Sequence, residues 1–282
     1  MAFIIGVVGA GQMGSGIAYV CALNGFKVEL QDISSEQLEK SLATIESNLK
    51  KQSKKGTISD EQVKEALGRI NRVNKLDELK DASIIIEAAT EKEDIKIDIF
   101  RKLDEVTSDE VILASNTSSI SITKIAAATS RPSKVIGMHF MNPVPVMKLV
   151  EVIRGLATSD ETYQFVVELA KKLGKEPVLS KDYAGFIVNR ILIPMINEAI
   201  FTYYEGIGTI EDIDKAMKLG TNQPMGPFTL ADFIGLDTVL YILEILYNEF
   251  KDPKYRPCPL LYKMVSAGYF GRKSGKGFYN YE

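Results

Sequence analysis

The chain has 282 residues, 45% hydrophobic and 25% charged, with a formal net charge of −3 at pH 7. Those proportions fit one large globular domain or two smaller ones with a real core. The weakly negative balance argues against a nucleic-acid surface, which needs a basic stripe. Two cysteines, Cys21 and Cys258, cannot make a disulfide framework, and a single histidine, His139, leaves a zinc or iron site without ligands, so no metal is expected. The first residues lack a basic n-region and no apolar run reaches the ~18 residues of a membrane span, so no membrane partner is expected and the cytoplasm is the simplest compartment.

Phe3 to Val8 is a continuous apolar, β-branched run, as a strand buried on both faces reads. Gly9-Ala10-Gly11-Gln12-Met13-Gly14 follows at once, then helical apolar spacing from Ser15 to Leu23. A second strand, Phe26 to Leu30, ends at Gln31-Asp32. This is the order of a dinucleotide-binding βαβ unit. Gly9 permits the tight turn, Gly11 lets the backbone approach a pyrophosphate, and Gly14 lets the helix pack close to the strand. Asp32 lies roughly 20 residues on, where an acid accepts hydrogen bonds from the adenosine ribose. Its charge would repel a 2′-phosphate, so NAD is favoured over NADP. A glycine turn without a ligand is the plainer alternative.

From Asp32 to Lys55 the pattern predicts a helix opened by Ser34 or Ser35, ending in a lysine cluster that includes Lys51 and Lys55. A lysine-rich helix end usually sits in water, favoured by the helix dipole. The other reading is a landing site for a phosphorylated substrate. A short helix from Thr57 to Leu67, capped by Ser59, comes next. Ser83 to Ala88 is a strand, and Glu91 stands beyond its carboxyl end, where ligands bind in open α/β sheets. Lys96 follows in a helix from Asp94 to Val106, and Glu91 with Lys96 also reads as a helix-surface charge pair. Val111 to Ala114 is a further strand, leading into Ser115-Asn-Thr-Ser118-Ser119. That run exceeds the single hydroxyl an N-cap needs, which favours a site.

Lys134 to Gly155 carries His139 at the end of one apolar run and Glu151 within another, separated by Asn142-Pro-Val-Pro145. If the chain folds back about Pro145, the runs pair as antiparallel strands with His139 opposite Glu151, their side chains ~5 Å apart. A carboxylate-held imidazole is a common general base. A salt bridge that merely pins a hairpin has the same signature. A helix from Thr162 to Leu173 and a strand from Glu176 to Leu179 complete the first half.

From about Asp182 strand-like runs give way to helical periodicity. Helices are expected over Ala184 to Tyr204, kinked at Pro194, then from Thr209 to Gly220, from Thr229 to Phe250 and from Leu260 to Ala267. Asn189 is a polar exception near the start of the first, either a ligand-binding amide or one satisfying a neighbouring carbonyl. Gly271 to Gly277 reads as a flexible basic loop containing Lys273. The predicted fold is α/β: an N-terminal Rossmann-type doubly wound sheet over 1–183 plus an all-α C-terminal domain over 184–282. The helices carry more apolar face than one small bundle buries, so a homodimer through the C-terminal domain is expected.

With these sites placed, the chain resembles the short-chain L-3-hydroxyacyl-CoA dehydrogenases. GAGQMGSGIA at the start, SNTSS at 115–119, HFMNPVPVMKLVEVI at 139–153, DYAGFIVNR at 182–190 and the terminal GRKSGKGFYNY carry the match, which spans essentially the whole chain. The resemblance implies His139 as catalytic base, Glu151 as its orienting partner, and Ser118 and Asn189 as groups that hydrogen-bond the substrate. It implies contacts to NAD from Gly9 to Gly14, Asp32, Glu91, Lys96, Ser118, Asn142 and Lys273, and to an acyl-CoA from the lysine cluster, Lys51 and Lys55 among them. Asn48 stands where some members of the family place a serine on the CoA. The implied reaction is reversible hydride transfer between (S)-3-hydroxybutyryl-CoA and acetoacetyl-CoA. The alternatives are a dehydrogenase of a free hydroxy or sugar acid on the same scaffold, and a dinucleotide-binding protein without catalysis.

Overall fold

Short β-branched runs alternating with amphipathic helices build the first of two units, which divide after Tyr183. The structure, a computed structural model, describes residues 3–281. In the first unit β1 (Ile4–Val8), α1 (Gln12–Leu23) and β2 (Lys27–Gln31) are followed by α2 (Ser35–Lys54), α3 (Asp60–Gly68) and β3 (Ile70–Val73). Then come β4 (Ile84–Glu87), α4 (Glu93–Val106), β5 (Ile112–Ser115), α5 (Ile122–Ala126), β6 (Val135–Phe140), β7 (Leu149–Arg154), α6 (Asp160–Lys172) and β8 (Glu176–Lys181).

The strands form one eight-stranded sheet in the order β3-β2-β1-β4-β5-β6-β7-β8, parallel throughout except for the antiparallel pair β6–β7. The chain runs outward from β1 to β3, then returns to β4 on the other side of β1. That reversal opens a crevice at the carboxyl ends of β1 and β4, where such sheets take ligands. Ile5, Val7, Ile84 and Ile86 are fully buried, as strands covered on both faces require. Leu38, Ile45 and Leu49 anchor α2 to the same core, each burial contributing about 1.5–3 kcal/mol.

The helix starts follow their caps. Ser34 accepts from the amide of Gln37, and Ser59 forms a capping box with Gln62. The strand β3 has no counterpart among the elements expected from the sequence. Its central Asn71 and Arg72 are exposed at the sheet edge, so only pairing with β2 reveals it.

The second unit holds α7 (Val188–Tyr204), α8 (Ile210–Gly220), α9 (Pro227–Ile234), α10 (Leu236–Phe250) and α11 (Pro259–Ser266). Among its described residues the only β pairing is at two isolated bridges. Thr209 caps α8, and Pro194 lies inside α7. The single helix expected from Thr229 to Phe250 is two, broken at Gly235, whose φ of +103° no helix tolerates. The basic loop from Gly271 to Gly277 carries the two bridges, Gly271↔Lys276 and Lys276↔Asn280, and the tail after it is tied to α9. The buried Asp232 carboxylate accepts from the amides of Phe278 and Tyr279 and from the Tyr281 hydroxyl. Burial, with that hydrogen bond, pushes the Tyr281 phenol up to about 12. Asp214 likewise accepts from the amides of Phe228 and Thr229 and from the Tyr279 hydroxyl. Among the described residues no helix is long and apolar enough to cross a membrane.

Candidate active site

The glycine loop joins β1 to α1, and its three glycines do different things. A Cβ on Gly14 would fall 1.7 Å from the Gly9 carbonyl oxygen, and one on Gly9 would fall 2.5 Å from the Ala89 Cα. Both positions are therefore fixed by packing. A Cβ on Gly11 would meet nothing within 4 Å. Gly11 is also the N-cap of α1, and neither a side-chain cap nor an acidic residue occupies that end. The helix thus offers uncapped N–H groups beside open space, which suits an anionic pyrophosphate. Asp32 closes the loop, with Oδ2 accepting from the Ala10 amide at 2.8 Å and Oδ1 from Ser34 at 2.9 Å. The residues present fit a dinucleotide.

At the carboxyl ends of β4 and β5, Glu91 accepts three hydrogen bonds. The Ser118 amide (2.5 Å) and hydroxyl (2.8 Å) bind one carboxylate oxygen, and the Thr117 hydroxyl (2.8 Å) binds the other. The hydroxyl cluster is therefore a scaffold that holds the Glu91 carboxylate. The N-cap of α5 is Ser121, outside it. Lys96 departs from the surface-pair expectation: it is 1% exposed, and its ammonium binds the fully buried Glu87 carboxylate, with Glu91 4.0 Å away. Glu87 also accepts from the Ser115 hydroxyl at 3.0 Å and the Ala89 amide at 2.9 Å. Glu87 lies inside the strand expected from Ser83 to Ala88 and was not among the candidate site residues. Its only signal was an acid closing Ile84-Ile-Ile.

β6 and β7 pair in the expected register, His139 opposite Glu151. Nδ1 of His139 lies 2.8 Å from Oε2 of Glu151, with both side chains buried. Asn142 stands exposed in the connecting loop. That loop, α1 and α2 bound a cleft of about 410 Å³, into which Gln12, Tyr19, Lys40, Asn48 and Asn142 face. Lys51 and Lys55 are exposed at the end of α2, beyond Asn48. On the second unit Asn189 is half-buried in the first turn of α7, and Lys273 pairs with Asp237 at 2.6 Å.

Comparisons with known proteins cover both units. Residues 4–183 match the model of the 3-hydroxyacyl-CoA dehydrogenase NAD binding domain, and residues 185–281 match that of the 3-hydroxyacyl-CoA dehydrogenase C-terminal domain. The chain is 56% identical to the 3-hydroxybutyryl-CoA dehydrogenase of Bradyrhizobium diazoefficiens over 98% of this chain and 94% of that one. It is 44% identical to the mitochondrial hydroxyacyl-coenzyme A dehydrogenase of Homo sapiens, over 98% and 90%. The crystal structure of (S)-3-hydroxybutyryl-CoA dehydrogenase from Ralstonia eutropha superposes with a TM-score of 0.97 at 53% identity, covering all of both chains.

Proposed function

The chain belongs to the 3-hydroxyacyl-CoA dehydrogenase family, and from that premise we propose that it interconverts (S)-3-hydroxybutyryl-CoA and acetoacetyl-CoA with NAD. The observation that carries the reading is the His139–Glu151 pair at the carboxyl end of β6. Bound at the glycine loop, NAD supplies the hydride acceptor.

The chain's own residues handle the proton. Glu151 engages Nδ1 of His139, so Nε2 is the atom assigned to the substrate oxygen. In oxidation Nε2 takes the hydroxyl proton, and the Glu151 carboxylate stabilises the imidazolium. In reduction the proton returns to the 3-keto oxygen. The Asn189 amide is assigned to that oxygen, whose growing negative charge it stabilises, and the Ser118 hydroxyl, which here donates to Glu91, turns its proton to the same oxygen. Gly9, Ala10, Gly11, Gln12, Met13, Gly14 and Asp32 are assigned to the adenosine and pyrophosphate, and Glu91, Ser118, Asn142 and Lys273 to the nicotinamide side. Lys96 is assigned through its buried contacts with Glu87 and Glu91.

Lys51 and Lys55 are assigned to the phosphates of the acyl-CoA. We also propose a cytoplasmic homodimer through residues 184–282. Ile191, Ile207 and Leu219 are each more than 60% exposed there, and both cysteines are free. Oxidation of NADH by acetoacetyl-CoA, with little or none by free acetoacetate, is the expected test result. Equal rates with both would point to a free-acid dehydrogenase.

A further inference from the structure

β6 outruns its neighbour. Its parallel ladder with β5 ends at Ser115↔Gly137, so Met138, His139 and Phe140 continue past the end of β5. On the other side β7 pairs with them through Phe140↔Val150. On the β5 side no strand residue is left to bond the Phe140 N–H, and a buried unmet N–H costs about 1–3 kcal/mol. One side chain fills the gap. Asn116, the residue after β5, accepts the Phe140 amide through Oδ1 at 2.9 Å, in a buried contact. The backbone N–H of Asn116 donates to the Glu87 carbonyl of β4 at 2.8 Å. Asn116 therefore ties the ends of β4, β5 and β6 together immediately next to His139.

We propose that Asn116 is a positioning residue for His139: its side chain replaces the missing β5 partner and fixes the overhanging end of β6. This rests on His139 being the general base. Without the anchor, the backbone on one side of His139 depends on β7 alone. The imidazole can then drift from the reacting oxygen while keeping its Glu151 contact. A misplacement of about 1 Å can cost roughly 10²-fold in rate. Asn116 reaches the chemistry only through the backbone of β6.

The test uses Asn116→Ala, which deletes the acceptor, and Asn116→Asp, which keeps an oxygen in its place. Both are assayed with NADH and acetoacetyl-CoA, beside His139→Gln as a control for the base itself. Asn116→Ala is expected to lower kcat at least about tenfold while KM for NADH stays within about twofold, a tenth or more of the loss a misplaced base can reach. Asn116→Asp is expected to recover much of that loss, with the acid side of the oxidation profile moved to higher pH because the added carboxylate favours imidazolium. If Asn116→Ala does not fold, Asn116→Asp alone decides by the same two readouts. Wild-type kcat in Asn116→Ala, or a rise in KM for NADH as large as the fall in kcat, overturns the proposal. Wild-type turnover in His139→Gln would instead overturn the base that the proposal presupposes.

Discussion

Nδ1 of His139 and Oε2 of Glu151 lie 2.8 Å apart because the β6–β7 register sets the two residues directly opposite each other. The carboxylate is fully buried, so its charge acts on the imidazole with little screening. Replacing it with an amide keeps the volume and removes the charge. Glu151→Gln should lower kcat by about 10²–10⁴-fold, the range of a general-base contribution, while NADH binding followed by fluorescence stays near wild type. Retention of most of kcat would mean that Glu151 only pins the hairpin.

The two kinds of glycine in the cofactor loop should separate on mutation. At Gly14 a Cβ overlaps the Gly9 carbonyl, so Gly14→Ala should destabilise the fold by about 1–3 kcal/mol or more. At Gly11 a side chain enters open space. Gly11→Val should melt near wild type yet raise KM for NADH at least about tenfold, a loss of about 1.4 kcal/mol of binding. Thermal melts and NADH titrations on both variants check this, and a Gly11→Val enzyme with unchanged KM would remove the loop from the cofactor site.

Glu87 and Lys96 form a buried ion pair under the site. Removing one partner strands the other charge, so Glu87→Gln should cost about 3–5 kcal/mol, and the double variant Glu87→Gln/Lys96→Met should regain much of it. Urea unfolding of the wild type, both single variants and the double variant measures the coupling. Simple additivity of Glu87→Gln and Lys96→Met would show that the pair contributes nothing as a pair.

The fold and the site are legible in the sequence where the interacting residues lie close along the chain and a local turn or motif sets them together. The His139–Glu151 relationship could be read because a single turn, Asn142 to Pro145, fixes which residues face each other. The cofactor loop could be read because its glycines, helix and acid are close in sequence. Lys96 could not, since its partner depends on how α4 rotates against β4, and a lysine nine residues from a strand acid looks like a surface residue. Asn116 was hidden within a run of hydroxyls. Its role depends on β6 being longer than β5, which pairing alone defines. β3 was missed because its middle residues are polar, and the break at Gly235 because apolar periodicity runs through it.

Acid sensitivity should involve Asp104. Burial would push its carboxyl up, yet hydrogen bonds from Arg131 and Ser130, with the Arg131 charge, hold it below its ordinary value. A carboxyl lowered in the folded state contributes stability above its unfolded value of about 3.9 and loses it as the pH falls through the folded value. The melting-temperature gap between wild type and Asp104→Asn should therefore be widest near neutral pH and close below about pH 4. A gap independent of pH would assign Asp104 a role that its charge does not explain.

In the proposed reaction His139 is the group that moves the proton. Single-turnover reduction of acetoacetyl-CoA by enzyme-bound NADH, compared between wild type and His139→Gln, tests it most directly. Binding of NADH should be equal in the two proteins, and the rate should fall by about 10²-fold or more in the variant. A His139→Gln enzyme that binds NADH and turns over at the wild-type rate would contradict the account.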